Sequence, residues 1–134
     1  MKDPEAAAAV VAVARAAGGG ATDRLWICHP DWELLAVWRK DLDDVHMVDS
    51  TRIKAMRQGP ERRAAQLAAA GIDAVNLHHP EWTGGLTTLF HRFGVLAFAW
   101  DAQHERILRN LLRMGIDAVY SDHVDRMVDA LGLV

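Results

Sequence analysis

The sequence predicts an α/β fold made of parallel strand–helix repeats, and three observations carry that prediction. Val95 to Trp100 and Ile116 to Tyr120 are short apolar runs rich in β-branched and aromatic residues. Between them, Gln103 to Met114 places Ile107, Leu108, Leu111, Leu112 and Met114 close to helical spacing. Each run is introduced by a glycine, Gly94 or Gly115, where the C-cap of the preceding helix would stand. Finally, the pentapeptide Gly-Ile-Asp-Ala-Val occurs twice, from Gly71 and from Gly115, with Gly94 between the copies. Units recurring at roughly 20 to 25 residues match βα repeats rather than the longer solenoid repeats. Apolar strands separated by helices mean a parallel sheet covered on its faces.

Taken in order, the elements repeat that unit. Asp3 as N-cap, Pro4 at the first helical position and Glu5 in the first turn predict a helix through Ala6–Ala14, ended by Gly18-Gly19-Gly20. Leu25 to Cys28 is a short strand, and His29-Pro30-Asp31 a polar turn in which Asp31 caps a helix from Trp32 to Lys40. Leu34, Leu35 and Trp38 face inward on that helix. Val45 to Val48 is a strand ending at Asp49-Ser50-Thr51. Gln58-Gly59-Pro60 breaks the chain before an alanine-rich helix, Glu61 to Ala70, closed by Gly71. Ile72 to Leu77 is the next strand, tipped by His78-His79-Pro80-Glu81, and Thr83-Gly84-Gly85 opens a helix to about Phe93. Asp122 is placed to cap a last helix, His123 to Leu131.

Composition sets the outer bounds. A chain of 134 residues, read as one partial domain over 1–134, is long enough for a real core. A net charge of −3 gives no general electrostatic reason to expect a nucleic-acid partner. Arg52, Lys54, Arg57, Arg62 and Arg63 form a local basic cluster whose plain reading is a solvated face. A single cysteine, Cys28, excludes an internal disulfide framework and fits a reducing compartment. The apolar N-terminal stretch lacks the basic flank of a signal peptide, and no apolar run is long enough to span a bilayer. The expectation is a cytoplasmic protein without a transmembrane segment.

Two architectures accommodate five such strands. One is a five-stranded flavodoxin-like sandwich. The other is part of a (β/α)8 TIM barrel, and the chain's start on a helix favours it, because a repeat entered halfway begins so. Either way, chemistry belongs at the C-terminal strand tips, where the sequence gathers His29, Asp49, Ser50, His78, His79, Asp101 and Asp122. Carboxylates and imidazoles of this kind are suitable ligands for a divalent cation. Equally, Asp31, Ser50 or Thr51, Thr83 and Asp122 are what a βα loop uses to cap its next helix, so Asp122 carries both readings. His78-His79 lacks the helical i, i+4 spacing of zinc ligands, and Trp100 suits a core or a pocket wall. No phosphate-cradling glycine loop, serine elbow or Cys-x-x-Cys pair occurs.

The stretch Gly94…Trp100-Asp-Ala-Gln103…Gly115-Ile-Asp-Ala-Val-Tyr-Ser121-Asp122-His-Val-Asp125 resembles the C-terminal signature of glycerophosphodiester phosphodiesterases. There a glycine leads a strand ending Trp-Thr-Val-Asn, and Gly-Val-Asp-Gly-Ile-Ile-Thr-Asp-x-Pro-Asp follows. Leu25-Trp-Ile-Cys-His29-Pro30-Asp31 is similar to that family's strand ending Ser-Phe-Asp, and Ala74-Val-Asn-Leu77 to a short segment before its penultimate strands. The resemblance covers nearly all of the chain and about the second half of the family's domain. It implies a PLC-like phosphodiesterase (β/α)8 barrel, a glycerophosphodiester substrate, and Mg²⁺ or Ca²⁺ in the complete domain. Trp100 matches a residue lining the family's substrate site; Asp101 stands where the family has Thr, Gln103 where it has Asn, and His29-Pro30 where it has Ser-Phe.

The family's catalytic His-Arg pair, Glu-x-Asp metal ligands and second histidine belong to its first half, and no counterpart occurs on a strand here. His91-Arg92 falls in a helix. The expectation is therefore no catalytic residue, no metal ligand and no cofactor in this chain alone. Trp100, Asp101, His29 and Asp122 are its substrate-pocket candidates, and an N-terminal half-barrel or self-association would cover the open sheet. The alternative is a non-catalytic α/β binding or interaction domain.

Overall fold

Five strands pair in the order in which the chain makes them, each parallel to the last. The computed structural model describes residues 3–132. Its elements are α1 (Ala6–Ala17), β1 (Trp26–His29), α2 (Trp32–Arg39), β2 (His46–Ser50), α3 (Pro60–Ala70), β3 (Ala74–His78), α4 (Gly84–Arg92), β4 (Leu96–Trp100), α5 (Glu105–Met114), β5 (Ala118–Val119) and α6 (Val124–Leu131). Short 3₁₀ turns at Thr22–Arg24, Ile53–Ala55 and His79–Glu81 fill connections that the apolar pattern left as loops. The sheet order is β1-β2-β3-β4-β5. That order overturns the flavodoxin-like alternative, in which the first strand lies between the second and third. Sequential parallel strands joined by right-handed crossovers put the helices on one face, as a (β/α)8 barrel does.

Strand parity shows the two faces. Ile27, Met47, Val75, Leu77, Ala97 and Ala99 are buried in one core with Val11, Leu35, Leu67, Phe90, Leu108 and Leu111 from the helices. The alternate positions, Val48, Ala74 and Phe98 with Trp26, Cys28 and Ala118, form a second cluster made of strand residues alone. Burying one Leu or Phe side chain contributes about 1.5–3 kcal/mol, so the helix-facing layer dominates the stability.

The repeated pentapeptide does the same work twice. Gly71 (φ 72°) and Gly115 (φ 88°) take the left-handed turn that ends α3 and α5, a conformation glycine adopts without steric penalty. Ile72 and Ile116 then enter the core. Asp73 Oδ2 accepts from the Met47 N–H at 2.8 Å and from Arg39 of α2 at 2.7 Å. Asp117 Oδ2 accepts from the Ala97 N–H at 2.8 Å and lies 2.6 Å from His91 Nε2 of α4. Each aspartate thus ties the foot of its strand to the preceding strand and to the helix before that one. His91-Arg92 accordingly lies at the end of a helix, with His91 engaged at the foot of the sheet.

Local differences have local causes. Asp3 Oδ1 accepts from Glu5 N–H at 2.9 Å in a turn, so α1 starts at Ala6 with no side-chain cap. Asp31 and Thr83 do cap α2 and α4. Ser50 and Thr51 cap nothing: the turn after them is led by Arg52 without a side-chain cap, and Ser50 Oγ accepts from Asn76 instead. Nor does Asp122 cap α6, which begins after His123.

Candidate functional site

His78 and Trp100 end β3 and β4 in register, and their side chains leave the same face of the sheet. Their rings stack with centroids 4.4 Å apart at 29°. His79 follows on the turn His79–Glu81, with its ring centroid 5.0 Å from that of His78. Glu81 fixes this turn by accepting from Arg52 Nε at 2.8 Å and from the Ile53 N–H at 3.0 Å. Beyond Trp100, Asp101 has φ 61°, the sole positive φ at a non-glycine residue among the described residues. That turn brings Asp101 Oδ2 to 3.3 Å from His78 Nε2, while Oδ1 accepts from Gln103 Nε2 at 3.3 Å.

Gln103 is the hub of the neighbouring tip. Its Nε2 also donates to Asp122 Oδ2 at 3.0 Å, and its Oε1 accepts from Ser121 Oγ at 3.2 Å and from the Asp122 N–H at 3.0 Å. Arg126 of α6 donates to the Gln103 carbonyl at 2.6 Å. An open cavity of about 450 Å³ results, lined among others by Trp100, Asp101, Gln103, Tyr120, Asp122 and Met127. Two carboxylates and no cationic side chain line it. The Gln103 amide and then His78 hold the Asp101 carboxyl below its usual range, so it is charged at neutral pH. Burial, and then the neighbouring His78, lowers His79, which favours the neutral imidazole.

Of the pocket candidates, Trp100, Asp101 and Asp122 come together here and His29 does not. His29 shares the parity of Ile27 and turns toward the helices. Its Nδ1 accepts from the Asp31 N–H at 3.0 Å and its ring meets Trp38 edge-on at 5.4 Å. Asp49, also at a strand tip, points the same way and pairs with Arg63 at 2.7 Å under α3. Arg63 is therefore buried rather than part of a solvated face, whereas Lys54, Arg57 and Arg62 are exposed. Tyr120 was not among the candidates; it lines the cavity, and its hydroxyl lies 3.6 Å from Cys28 Sγ across the concave face. Even parity, shared by Cys28, Phe98 and Tyr120, is the sequence signal for that placement.

Among the described residues, one group of three or more potential metal ligands converges. His78, His79 and Asp101 each offer a donor atom, all within 4.8 Å of one another. No helix among these residues is long and apolar enough to cross a membrane.

No family model matches the chain, and no curated protein matches it in sequence. Solved structures do match it in fold. A candidate glycerophosphoryl diester phosphodiesterase of Silicibacter pomeroyi superposes with a TM-score of 0.78 at 22% identity, over 96% of this chain and 44% of that one. A candidate glycerophosphodiester phosphodiesterase of Galdieria sulphuraria gives 0.77 at 16% identity, over 98% and 52%. A phosphodiesterase of Oleispira antarctica, solved with its product sn-glycerol 3-phosphate, gives 0.65 at 16%, over 81% and 42%. The chain spans about half the length of these structures, and its fold is that of part of a glycerophosphodiester phosphodiesterase (β/α)8 barrel.

Proposed function

We propose that this chain acts as the C-terminal half of a glycerophosphodiester phosphodiesterase-type barrel. It supplies the wall of the substrate cleft around Trp100 and none of the groups that hydrolyse the diester. The observation that carries this reading is the sequential parallel sheet with Trp100 at its C-terminal edge, the edge on which (β/α)8 enzymes build their sites. The reaction of the whole barrel would be hydrolysis of a glycerophosphodiester to glycerol phosphate and an alcohol.

Alone, the chain lacks the means. General acid–base chemistry needs a positioned proton donor and acceptor beside the phosphoryl group. The sequence's His-Arg dipeptide is committed to α4 and Asp117, and no Glu-x-Asp stands on a strand. An anionic diester entering the cavity would also meet Asp101 and Asp122 with no cationic side chain to offset them. The Mg²⁺ or Ca²⁺ of such an enzyme does not fit the donors gathered here. Those ions take oxygen ligands, whereas this tip offers two imidazoles and one carboxylate. Leu96 and Tyr120 remain exposed on the concave face, an apolar surface that a complementary half-barrel or a second copy would cover.

The test is hydrolysis of glycerophosphocholine by purified chain with Mg²⁺ or Ca²⁺, beside the Trp100→Ala variant. The expected rate equals that of the variant, and a rate above it overturns the inactivity. Co-expression with a half-barrel bearing His-Arg and Glu-x-Asp strands should restore hydrolysis that Trp100→Ala lowers. If no such partner binds or restores turnover, the half-barrel reading falls.

A further inference from the structure

The geometry points to a binding site for a borderline first-row divalent ion, such as Zn²⁺ or Co²⁺, made by His78, His79 and Asp101. A tetrahedral ion with ligands at about 2.0–2.1 Å sets its donor atoms roughly 3.3 Å apart. His78 Nε2 and Asp101 Oδ2 already stand 3.3 Å apart, and the whole set lies within 4.8 Å. Small side-chain rotations therefore close the set without moving the backbone. Two imidazoles and a carboxylate suit Zn²⁺ or Co²⁺ and are poor ligands for Mg²⁺ and Ca²⁺.

Neighbours position the three ligands. Trp100 stacks on His78 and fixes the plane of its ring. Gln103 occupies Oδ1 of Asp101, and Oδ2 faces His78 Nε2, a contact that the ion would replace by bonding both atoms. Glu81, anchored on Arg52 and Ile53, holds the turn that carries His79. Three protein donors leave at least one coordination position open to water or an anion, the arrangement of catalytic rather than structural sites. An ion there would also offset the two carboxylates, Asp101 and Asp122, at the mouth of the cavity beside Trp100, and a phosphate group would then no longer be repelled and would find an open coordination position. The site itself does not rest on the phosphodiester reading, and metal titration needs no substrate.

The experiment is titration of the tag-free chain with Co²⁺ and Zn²⁺, followed by Co²⁺ visible absorption, calorimetry and thermal melting. The expected result is one ion per chain, an absorption band of four- or five-coordinate Co²⁺, and a higher melting temperature. Affinity should fall at least tenfold in His79→Ala and in Asp101→Asn, which keeps the shape of the side chain. His46→Gln, at the opposite end of the sheet, should bind as the parent does. Circular dichroism of each metal-free variant shows that the fold is retained; should His79→Ala unfold, Asp101→Asn alone decides. The proposal is overturned if no ion binds below millimolar concentration, if Asp101→Asn binds unchanged, or if millimolar Mg²⁺ displaces the Co²⁺.

Discussion

At the tip of β2, Asp49 is wholly buried, with Arg63 on Oδ2 at 2.7 Å and no hydrogen-bond partner for Oδ1 among the described residues. Desolvation outweighs the attraction of Arg63 and raises its pKa from 3.8 to about 6. A carboxyl with a raised pKa binds its proton more tightly folded than unfolded. Its stabilising contribution is therefore complete below about pH 4 and is lost as the pH rises through about 6. Urea unfolding of the parent and of Asp49→Asn, compared between pH 4 and 7, should show this: the parent loses stability relative to the variant as the pH rises. A constant difference would remove the raised pKa. Arg63→Ala leaves the carboxylate buried without its partner and should cost about 3 kcal/mol at pH 7, measured in the same way. Sequence alone put Arg63 in a solvated cluster and Asp49 among the polar tips, because the partner of each lies on another element. Parity was the available clue: Asp49 is two residues from Met47 and points with it toward the helices.

Among the elements, the two Gly-Ile-Asp-Ala-Val copies give a matched pair of experiments. Asp73→Ala and Asp117→Ala each strip a backbone N–H and a helix side chain, Arg39 or His91, of the carboxylate that they share. Each should lower stability by about 1–3 kcal/mol in denaturant unfolding. The two losses should add in the double variant, since the clamps share no partner. Gly115→Ala should cost about 1–2 kcal/mol, because φ 88° disfavours any β-carbon although ordinary contact distances surround the site. The helices were legible to within a residue or two, since apolar spacing and glycine stops act locally. The five-residue run of β5 pairs over two, with the Asp117 and Tyr120 N–H groups bonding the Ala97 and Ala99 carbonyls of β4 on either side. The role of Asp122 was legible in outline only. Capping and pocket readings use the same residue type; Gln103, nineteen residues away, holds Asp122 and leaves α6 without its cap.

For the whole molecule, strand order was the quantity that alternation of elements left open. A barrel segment and a flavodoxin-like sandwich share the same succession of strands and helices, and they differ only in which strands pair. The sequential order leaves β2, β3 and β4 flanked on both sides, with β1 and β5 at the margins of the described sheet. Hydrogen exchange should accordingly find the amides of Val75 and Phe98, which face β2 and β3, slowest and Val119 faster by at least tenfold. Equal protection of β5 would mean that another chain covers it. The convergence of His78, His79 and Asp101 was likewise out of reach from spacing. It depends on the register that sets His78 beside Trp100 and on one backbone torsion at Asp101.

That torsion sets stability against ligation. A left-handed backbone at an aspartate costs about 1 kcal/mol that glycine would not incur. Replacing Asp101 by Gly removes that cost together with the Gln103 and His78 contacts, so the protein should melt at nearly the same temperature and be blind to cobalt. A screen of this chain for stability alone would therefore pass that replacement unnoticed and, in passing it, discard the residue on which the proposed metal site depends.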